Sequence, residues 1–156
     1  MRPLLLANLL LVCVSFTAAQ NLKSRETIAL GLLKRNHSGV NWTRSIMLRG
    51  DFDFDGVADT AYGTSNGKTY FVGIVRGGKR LKSKTAVLRF VENSSDQASL
   101  CSVAKAKIRL ERISQSQTGL KGIRNGSRGI NVFDDECDSF HIYFDQRQRS
   151  FTWWRL

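Results

Sequence analysis

The sequence contains few residues that could bind zinc or carry out redox chemistry. Its 156 residues include three cysteines and two histidines, His37 and His141. The cysteines do not form the Cys-x-x-Cys pattern of zinc and redox sites. A nucleophile, a base and a residue to orient that base cannot be recognised together either. These absences argue against a zinc or redox protein and favour a binding or structural protein over an enzyme.

One long hydrophobic run is present, and it lies at the amino terminus. Met1 and Arg2 precede an apolar segment from Leu4 to Phe16, and small residues follow at positions 17–19. This order is typical of a cleaved secretory signal, and the run is too short to span a bilayer. We therefore expect a signal peptide over residues 1–19, a single α+β domain over residues 20–156, and no transmembrane segment after cleavage. The predicted location is secreted or periplasmic.

Two cysteines remain after the signal peptide is removed. Cys13 lies within the apolar run and would be discarded, whereas Cys101 and Cys137 belong to the mature chain. An exported protein with one pair of cysteines most simply forms one disulfide. On the chain-entropy model, this bond would stabilise the fold by roughly 3–4 kcal/mol.

Acidic side chains are scarce relative to basic ones. The chain has 24 Lys and Arg against 13 Asp and Glu, a net charge of +11, which favours contact with a polyanion. Residues 76–89 contain no acid at all. The candidate polyanion face consists of nine basic residues, Arg76, Lys79, Arg80, Lys82, Lys84, Arg89, Lys105, Lys107 and Arg109. Aromatic residues are not interleaved with them, so we expect no specific nucleic acid, and ordinary solvated strand faces are the alternative.

The hydrophobic pattern predicts one helix followed by a β structure. Apolar residues repeat at helical spacing from Leu22 to about Asn36, and alternation with a period of two follows, interrupted by turn residues. The predicted fold is α+β and mainly β, with the helix packed on an antiparallel meander or small sandwich of six or seven strands. After a short strand that begins near Ile46, the predicted strands are Thr60–Gly63, Thr69–Val75, Thr85–Val91, Val103–Leu110, Ile130–Phe133, Phe140–Asp145 and Ser150–Trp154.

Three local features refine this prediction. Asn66-Gly67 between two strand patterns predicts a hairpin turn. Thr69–Val75 is apolar at both parities, which predicts a central strand, and Ser114–Gly129 is polar and basic, which predicts a long loop. Trp153 and Trp154 are adjacent in a strand, so one is expected in the core and the other near the surface.

The most specific pattern is an acidic loop over residues 51–59. Asp51, Asp53, Asp55 and Asp59 occupy its positions 1, 3, 5 and 9, where oxygen ligands of calcium loops are found. Gly56 at position 6 permits a sharp turn, and Val57 at position 7 would offer its backbone carbonyl. The sequence therefore predicts one Ca²⁺ site of moderate affinity, with an acidic turn that stays empty as the alternative.

This loop resembles the calcium loop of FG-GAP and VCBS repeats, which occur in integrin-type propellers and bacterial surface proteins. The resemblance covers roughly residues 46–75 and implies that the four aspartates are side-chain ligands and that Val57 is a carbonyl ligand. An EF-hand would need a Glu at position 12, where Tyr62 stands. Since one copy is present and a propeller needs about four blades or more, the resemblance implies a single site on a free-standing β domain.

Two other acidic patterns offer alternatives. Residues 53–60 are similar to the first motif of haloacid-dehalogenase phosphatases, but those enzymes need a parallel α/β sheet and the chain lacks alternating helices. Asp134, Asp135, Glu136 and Asp138 surround Cys137. An ordinary acidic loop is the favoured interpretation of that segment, and a second cation site is the alternative.

The predicted function is an exported, calcium-stabilised binding or structural protein. Its expected partner is an anionic envelope component, such as a glycan or lipid head group, or another exported protein. One alternative is a phosphatase-like hydrolase that uses the acidic loop. The other is an inhibitor of an exported enzyme.

Overall fold

Two β-sheets form the body of the protein. The structure, a computed structural model, describes residues 25–78, 85–92, 99–113, 122–124 and 126–155. The first sheet contains β1 (Met47–Gly50), β2 (Asp59–Ser65), β3 (Thr69–Val75), β4 (Thr85–Glu92) and β5 (Ser99–Leu100). The second sheet contains β6 (Lys107–Ile113), β7 (Ser127–Phe133), β8 (Phe140–Asp145) and β9 (Ser150–Arg155).

Each sheet is a meander in which strands adjacent in sequence are also adjacent in space. The order is β1-β2-β3-β4-β5 in the first sheet and β6-β7-β8-β9 in the second. All recorded pairings are antiparallel except that of β4 with β5, which is parallel. The mainly β prediction is confirmed, but the described residues contain nine strands rather than six or seven, partly because the two-residue strand β5 has no alternation to reveal it.

The core lies between the two sheets. Phe90 on β4 contacts Phe140 on β8, with ring centroids 4.9 Å apart, and Trp153 on β9 packs its ring against both. Burial of such large side chains stabilises the fold by about 1.5–3 kcal/mol each. Trp153 therefore faces the core, whereas Trp154 packs on the opposite face beside His141 and Tyr143. The prediction that the two tryptophans point to opposite faces is confirmed.

Residues 25–36 are helical and pack on the outer face of the first sheet. Ala29, Leu32 and Leu33 are buried in a second cluster that also contains Trp42 and Phe71. The helix was predicted from Leu22 to about Asn36; its described part ends at residue 36, and residues 22–24 lie outside the described residues. No helix in the described part of the chain is long and apolar enough to cross a membrane.

The local predictions for β2 and β3 are confirmed. Gly67 has a φ of 88° in the turn between them, and the Asn66 side chain accepts hydrogen bonds from the N–H groups of Lys68 and Thr69. All seven residues of β3 are buried. This strand lies third among the five strands of its sheet, so both of its faces are covered.

Two predicted boundaries in the second half of the chain are wrong. The strand expected at Val103–Leu110 runs instead from Lys107 to Ile113. Val103 and Ala106 are buried, but they belong to a turn in which the Ala106 N–H donates to the Val103 carbonyl. The long loop expected to reach residue 129 ends by residue 127, where β7 begins. Residues 114–121 and 125 of that loop lie outside the described residues.

The predicted cysteine pair is brought together. The Cα atoms of Cys101 and Cys137 are 5.8 Å apart, and their sulfur atoms are at bonding distance. Cys101 follows β5 directly, and Cys137 lies between β7 and β8. The disulfide therefore connects the edge of the first sheet to a loop of the second. The predicted signal peptide lies outside the described residues.

Candidate metal centre

The 51–59 loop connects β1 to β2 and closes on itself. Gly50 and Asp59 are paired across the two strands, so the two ends of the loop lie side by side. Phe52 anchors the loop, because its ring is 2% exposed and belongs to the core between the sheets. Gly56 has a φ of 84°, and Phe54 takes a φ of 63°, a conformation that non-glycine residues rarely adopt. The loop is therefore tightly turned and fixed at its base.

Three of the predicted ligands converge. Asp51, Asp53 and Asp59 each have a carboxylate oxygen within 4.8 Å of the others. Asp53 and Asp59 are buried, and Asp51 lies at the partly exposed rim. Asp55 is not part of this group. Its carboxylate is exposed and accepts the Val57 N–H at 2.9 Å.

Backbone N–H groups of the loop hold the Asp51 and Asp53 carboxylates in place. The two oxygens of Asp51 accept from the N–H groups of Asp55 and Gly56, at 3.1 and 3.0 Å. Asp53 also accepts from the Asp55 N–H, at 3.1 Å. Since an ionised carboxylate has about four lone-pair sites, one N–H bond at each oxygen leaves room for a cation. These bonds orient the carboxylates without using up their capacity to coordinate.

Asp59 ties the end of the loop to its surroundings. One oxygen accepts the Phe52 N–H at 2.8 Å, and the other accepts the Gly77 N–H at 2.6 Å, just beyond β3. Burial raises the pKa of Asp59 to about 6, although these two hydrogen bonds lower it, and the charges of Asp53 and Asp55 raise it further. At neutral pH this carboxylate is still mostly ionised, but burial makes its ionised form less favourable than that of an ordinary aspartate.

Asp53 is paired with a cation supplied from outside the loop. The Arg76 guanidinium contacts one of its oxygens and lies 5.0 Å from the Phe144 ring centroid. Burial nevertheless raises the pKa of Asp53 above its usual value, because the bonding and charge of Arg76 do not fully offset it. The Gln146 side chain donates to the Asp53 carbonyl at 3.1 Å. The four aspartates of the loop and Arg76 together have a formal charge of −3 when all four carboxylates are ionised.

The candidate polyanion face is divided between the two sheets. Arg76 follows β3 and contacts Asp53 of the loop, and the Arg89 guanidinium lies 5.7 Å from the Phe71 ring centroid on the first sheet. The other three described residues of this face lie in β6 or just before it, and each contacts a polar side chain. Lys105 pairs with Glu136, Lys107 with Asp135 at 3.5 Å, and Arg109 with Asn131 at 3.1 Å. Lys79, Arg80, Lys82 and Lys84 lie outside the described residues.

The second acidic segment, residues 134–138, is arranged differently. Asp134 is 1% exposed and accepts four backbone N–H bonds of 2.7–3.1 Å, from Cys101, Ser102, Glu136 and Cys137. Burial would raise the pKa of Asp134, but these four donors outweigh it and the pKa is lowered. In the part of the chain that is described, the acids of this segment form no cluster of three that could hold a metal.

An open cleft adjoins the 51–59 loop. Arg49 enters it from β1 and Arg128 from β7, so both sheets contribute. Its other lining residues are Gly50, Asp51, Phe54, Gly56, Ala58 and Gly126. The Arg124 guanidinium lies 5.1 Å from the centroid of the Phe54 ring. None of these three arginines belongs to the predicted polyanion face. Arg49 lies just before the loop in the sequence, whereas the fold brings Arg124 and Arg128 to it from distant positions.

Comparison with known proteins adds no assignment. The chain matches no protein-family model, and no curated protein or solved structure is significantly similar to it. Among the described residues, the acidic loop occurs once and does not form an FG-GAP or VCBS repeat. Those residues also form two largely antiparallel sheets, whereas the phosphatase motif requires a parallel α/β sheet.

Proposed function

We propose that this protein is an exported calcium-binding module, in which a single cation at the 51–59 loop stabilises the β fold. The observation that carries the proposal is the convergence of the Asp51, Asp53 and Asp59 carboxylates within 4.8 Å of one another. Asp55 and the Val57 carbonyl complete the proposed ligand set. The arrangement is consistent with the resemblance of this loop to those of FG-GAP and VCBS repeats.

Calcium fits the donor set better than other common cations. The candidate ligands are all oxygen atoms, which suit hard cations, and calcium accepts irregular sets of six to eight such ligands. Magnesium demands a near-ideal octahedron and keeps its waters. The N–H bonds to Asp51 and Asp59 hold these carboxylates in the tight turn of the loop. The residual negative charge of the loop would be largely cancelled by a divalent ion.

Export and an anionic partner form the second part of the proposal. The amino-terminal sequence, the Cys101–Cys137 pair and the excess of basic side chains support it. In this role the module contacts an anionic envelope component or another exported protein. Calcium would keep the 51–59 loop ordered in a compartment where the ion is abundant.

Calorimetric unfolding of the chelator-stripped protein tests the calcium proposal. Extracellular calcium modules bind with Kd of about 10⁻⁴–10⁻³ M. At ~1 mM free calcium, a site with a Kd of ~0.1 mM adds about 1.4 kcal/mol, which is a rise in Tm of roughly 4–6 °C for a domain of this size. We expect magnesium at the same concentration to give a much smaller rise.

The matched variants are Asp55→Ala, in the loop, and Asp138→Ala, in the second acidic segment. Both remove one exposed carboxylate and change the net charge equally. We expect the first to abolish the calcium-dependent rise and the second to retain it. Equal shifts in both variants, or no shift in the parent protein, would overturn the proposal.

A further inference from the structure

The cleft beside the 51–59 loop holds two arginines that form no ion pair with the acidic side chains of the described residues. Within the described residues, neither Arg49 nor Arg128 forms an ion pair, while Arg76, Lys105 and Lys107 all do. The stem of Arg128 packs over Gly50, where a Cβ atom would come within 3.4 Å of it. One arginine of each sheet therefore lines the same opening, and the absence of a side chain at Gly50 provides space for the stem of Arg128.

We propose that this cleft binds the acidic group of a glycan, with Arg49 and Arg128 donating to a carboxylate or sulfate. A guanidinium presents a planar fork of N–H donors that matches the oxygens of such groups. The inference rests on the proposed calcium function, because the Asp51 carboxylate at the cleft rim would repel an anion unless a cation neutralised it. With calcium in place, most of the negative charge of the loop would be cancelled, and the two arginines would give the opening an excess of positive charge.

The lining of the cleft favours a glycan over a membrane or a protein. Among the described residues, the exposed large aliphatic side chains are Ile28 and Leu110, and neither lines the cleft. A membrane-binding surface would need apolar residues to enter the lipid, and a protein interface would need a buried anchor. Here Phe54 is the one large apolar residue of the lining, and its ring is engaged by Arg124. An open cleft lined by two arginines suits a unit of an acidic polysaccharide.

Titration calorimetry of the mature protein tests the inference in two steps. Calcium alone is titrated first, and a heparin hexasaccharide or its desulfated form, which keeps the carboxylates, is then titrated at saturating calcium. The test variant is Arg49→Gln/Arg128→Gln. The control is Lys34→Gln/Arg35→Gln, which removes the same charge from exposed helical residues. Vesicles that contain phosphatidylglycerol provide a lipid comparison.

We expect the test variant to bind calcium like the parent protein and to bind a hexasaccharide about tenfold more weakly or worse, while the control binds like the parent. Binding of both forms would show that the carboxylate is sufficient, and binding of the sulfated form alone would identify sulfate as the recognised group. If calcium binds and neither hexasaccharide does, or if both variants lose affinity equally, the cleft inference is wrong and the calcium proposal stands. Binding to vesicles alone overturns the glycan assignment. Absence of calcium binding overturns both proposals.

Discussion

Residues 51–59 and residues 134–138 each crowd acidic side chains into a short turn, yet their carboxylates meet different partners. In the first loop, three carboxylates approach one another, and burial raises the pKa values of Asp53 and Asp59. In the second, one buried carboxylate receives four backbone N–H bonds, and the pKa of Asp134 is lowered. Two of its neighbours pair with Lys105 and Lys107.

The difference shows that acidic composition alone does not make a cation site. The 134–138 segment satisfies its charge with donors from its own fold, so a metal would gain little there. The 51–59 loop keeps an excess of negative charge that one arginine does not cancel. Proximity of the carboxylates, together with insufficient neutralisation, distinguishes a candidate metal centre from a structural turn.

Removal of the disulfide should have the largest effect, since it breaks the covalent part of the 134–138 structure. The bond closes a loop with a sequence separation of 36 residues. The chain-entropy model predicts that Cys101→Ala/Cys137→Ala lowers the free energy of unfolding by about 4 kcal/mol. Urea unfolding of the oxidised parent and the double variant measures this loss. A loss below ~1 kcal/mol would show that Asp134 holds the segment without the bond.

Asp134→Asn should have the next largest effect. The amide replaces one oxygen with an N–H₂ group, which opposes two of the four donors and leaves their bonds unmade. Loss of two hydrogen bonds to a charged acceptor should cost about 3 kcal/mol, again measured by urea unfolding. Asp135→Asn is the control, because Asp135 is exposed and makes a single ion pair to Lys107. Similar losses in both variants would contradict the role assigned to Asp134.

Lowering the pH should remove the contribution of the Asp134 carboxylate to the free energy of unfolding. Because its pKa in the folded protein lies below the ordinary value of 3.8, ionisation favours the folded state. This stabilisation is complete above about pH 4 and is lost as the pH falls through the folded pKa. The difference in unfolding free energy between the parent protein and Asp134→Asn should therefore shrink below about pH 4. A difference that stays constant from pH 7 to pH 2 would show that charge is not involved.

The sequence predicted those features that depend on neighbouring residues. The Asn66-Gly67 turn, the doubly buried strand Thr69–Val75 and the opposite faces of the two tryptophans all follow from patterns a few residues long. The spacing of the loop aspartates likewise placed Asp51, Asp53 and Asp59 together.

Contacts between distant residues could not be predicted in this way. Arg76 and Gln146 reach Asp53 across 23 and 93 residues, and Asp134 accepts from Cys101 across 33. The predicted start of β6 is wrong because residues 104–108 alternate between apolar and basic side chains as a strand would, although Val103 and Ala106 belong to a buried turn. The hydrophobic pattern of a segment does not show which distant strand or turn it will contact. These contacts depend on how the two sheets pack together.

Arg76→Gln should have a smaller effect, and it tests how the charge of the 51–59 loop sets its affinity for calcium. The variant removes the cation that now competes for Asp53, so we expect calcium to bind about fivefold more tightly. In the absence of calcium, the variant should be less stable than the parent, because a buried carboxylate loses its partner. Arg89→Gln is the control, since Arg89 packs on Phe71 away from the loop. Calcium affinity that is unchanged or weaker in Arg76→Gln would contradict this account of the loop charge.

The measurement that tests the central claim most directly is a calcium titration, by calorimetry, of three chelator-stripped proteins: the parent, Asp51→Asn and Asp135→Asn. Asp51 is one of the three converging carboxylates, whereas Asp135 belongs to the 134–138 segment, and each substitution removes one charge. We predict one calcium ion per chain in the parent and in Asp135→Asn, and at least a tenfold weaker affinity in Asp51→Asn, or about 1.4 kcal/mol. Absence of binding in the parent, or equal binding in all three proteins, would contradict the proposal that residues 51–59 form a calcium site.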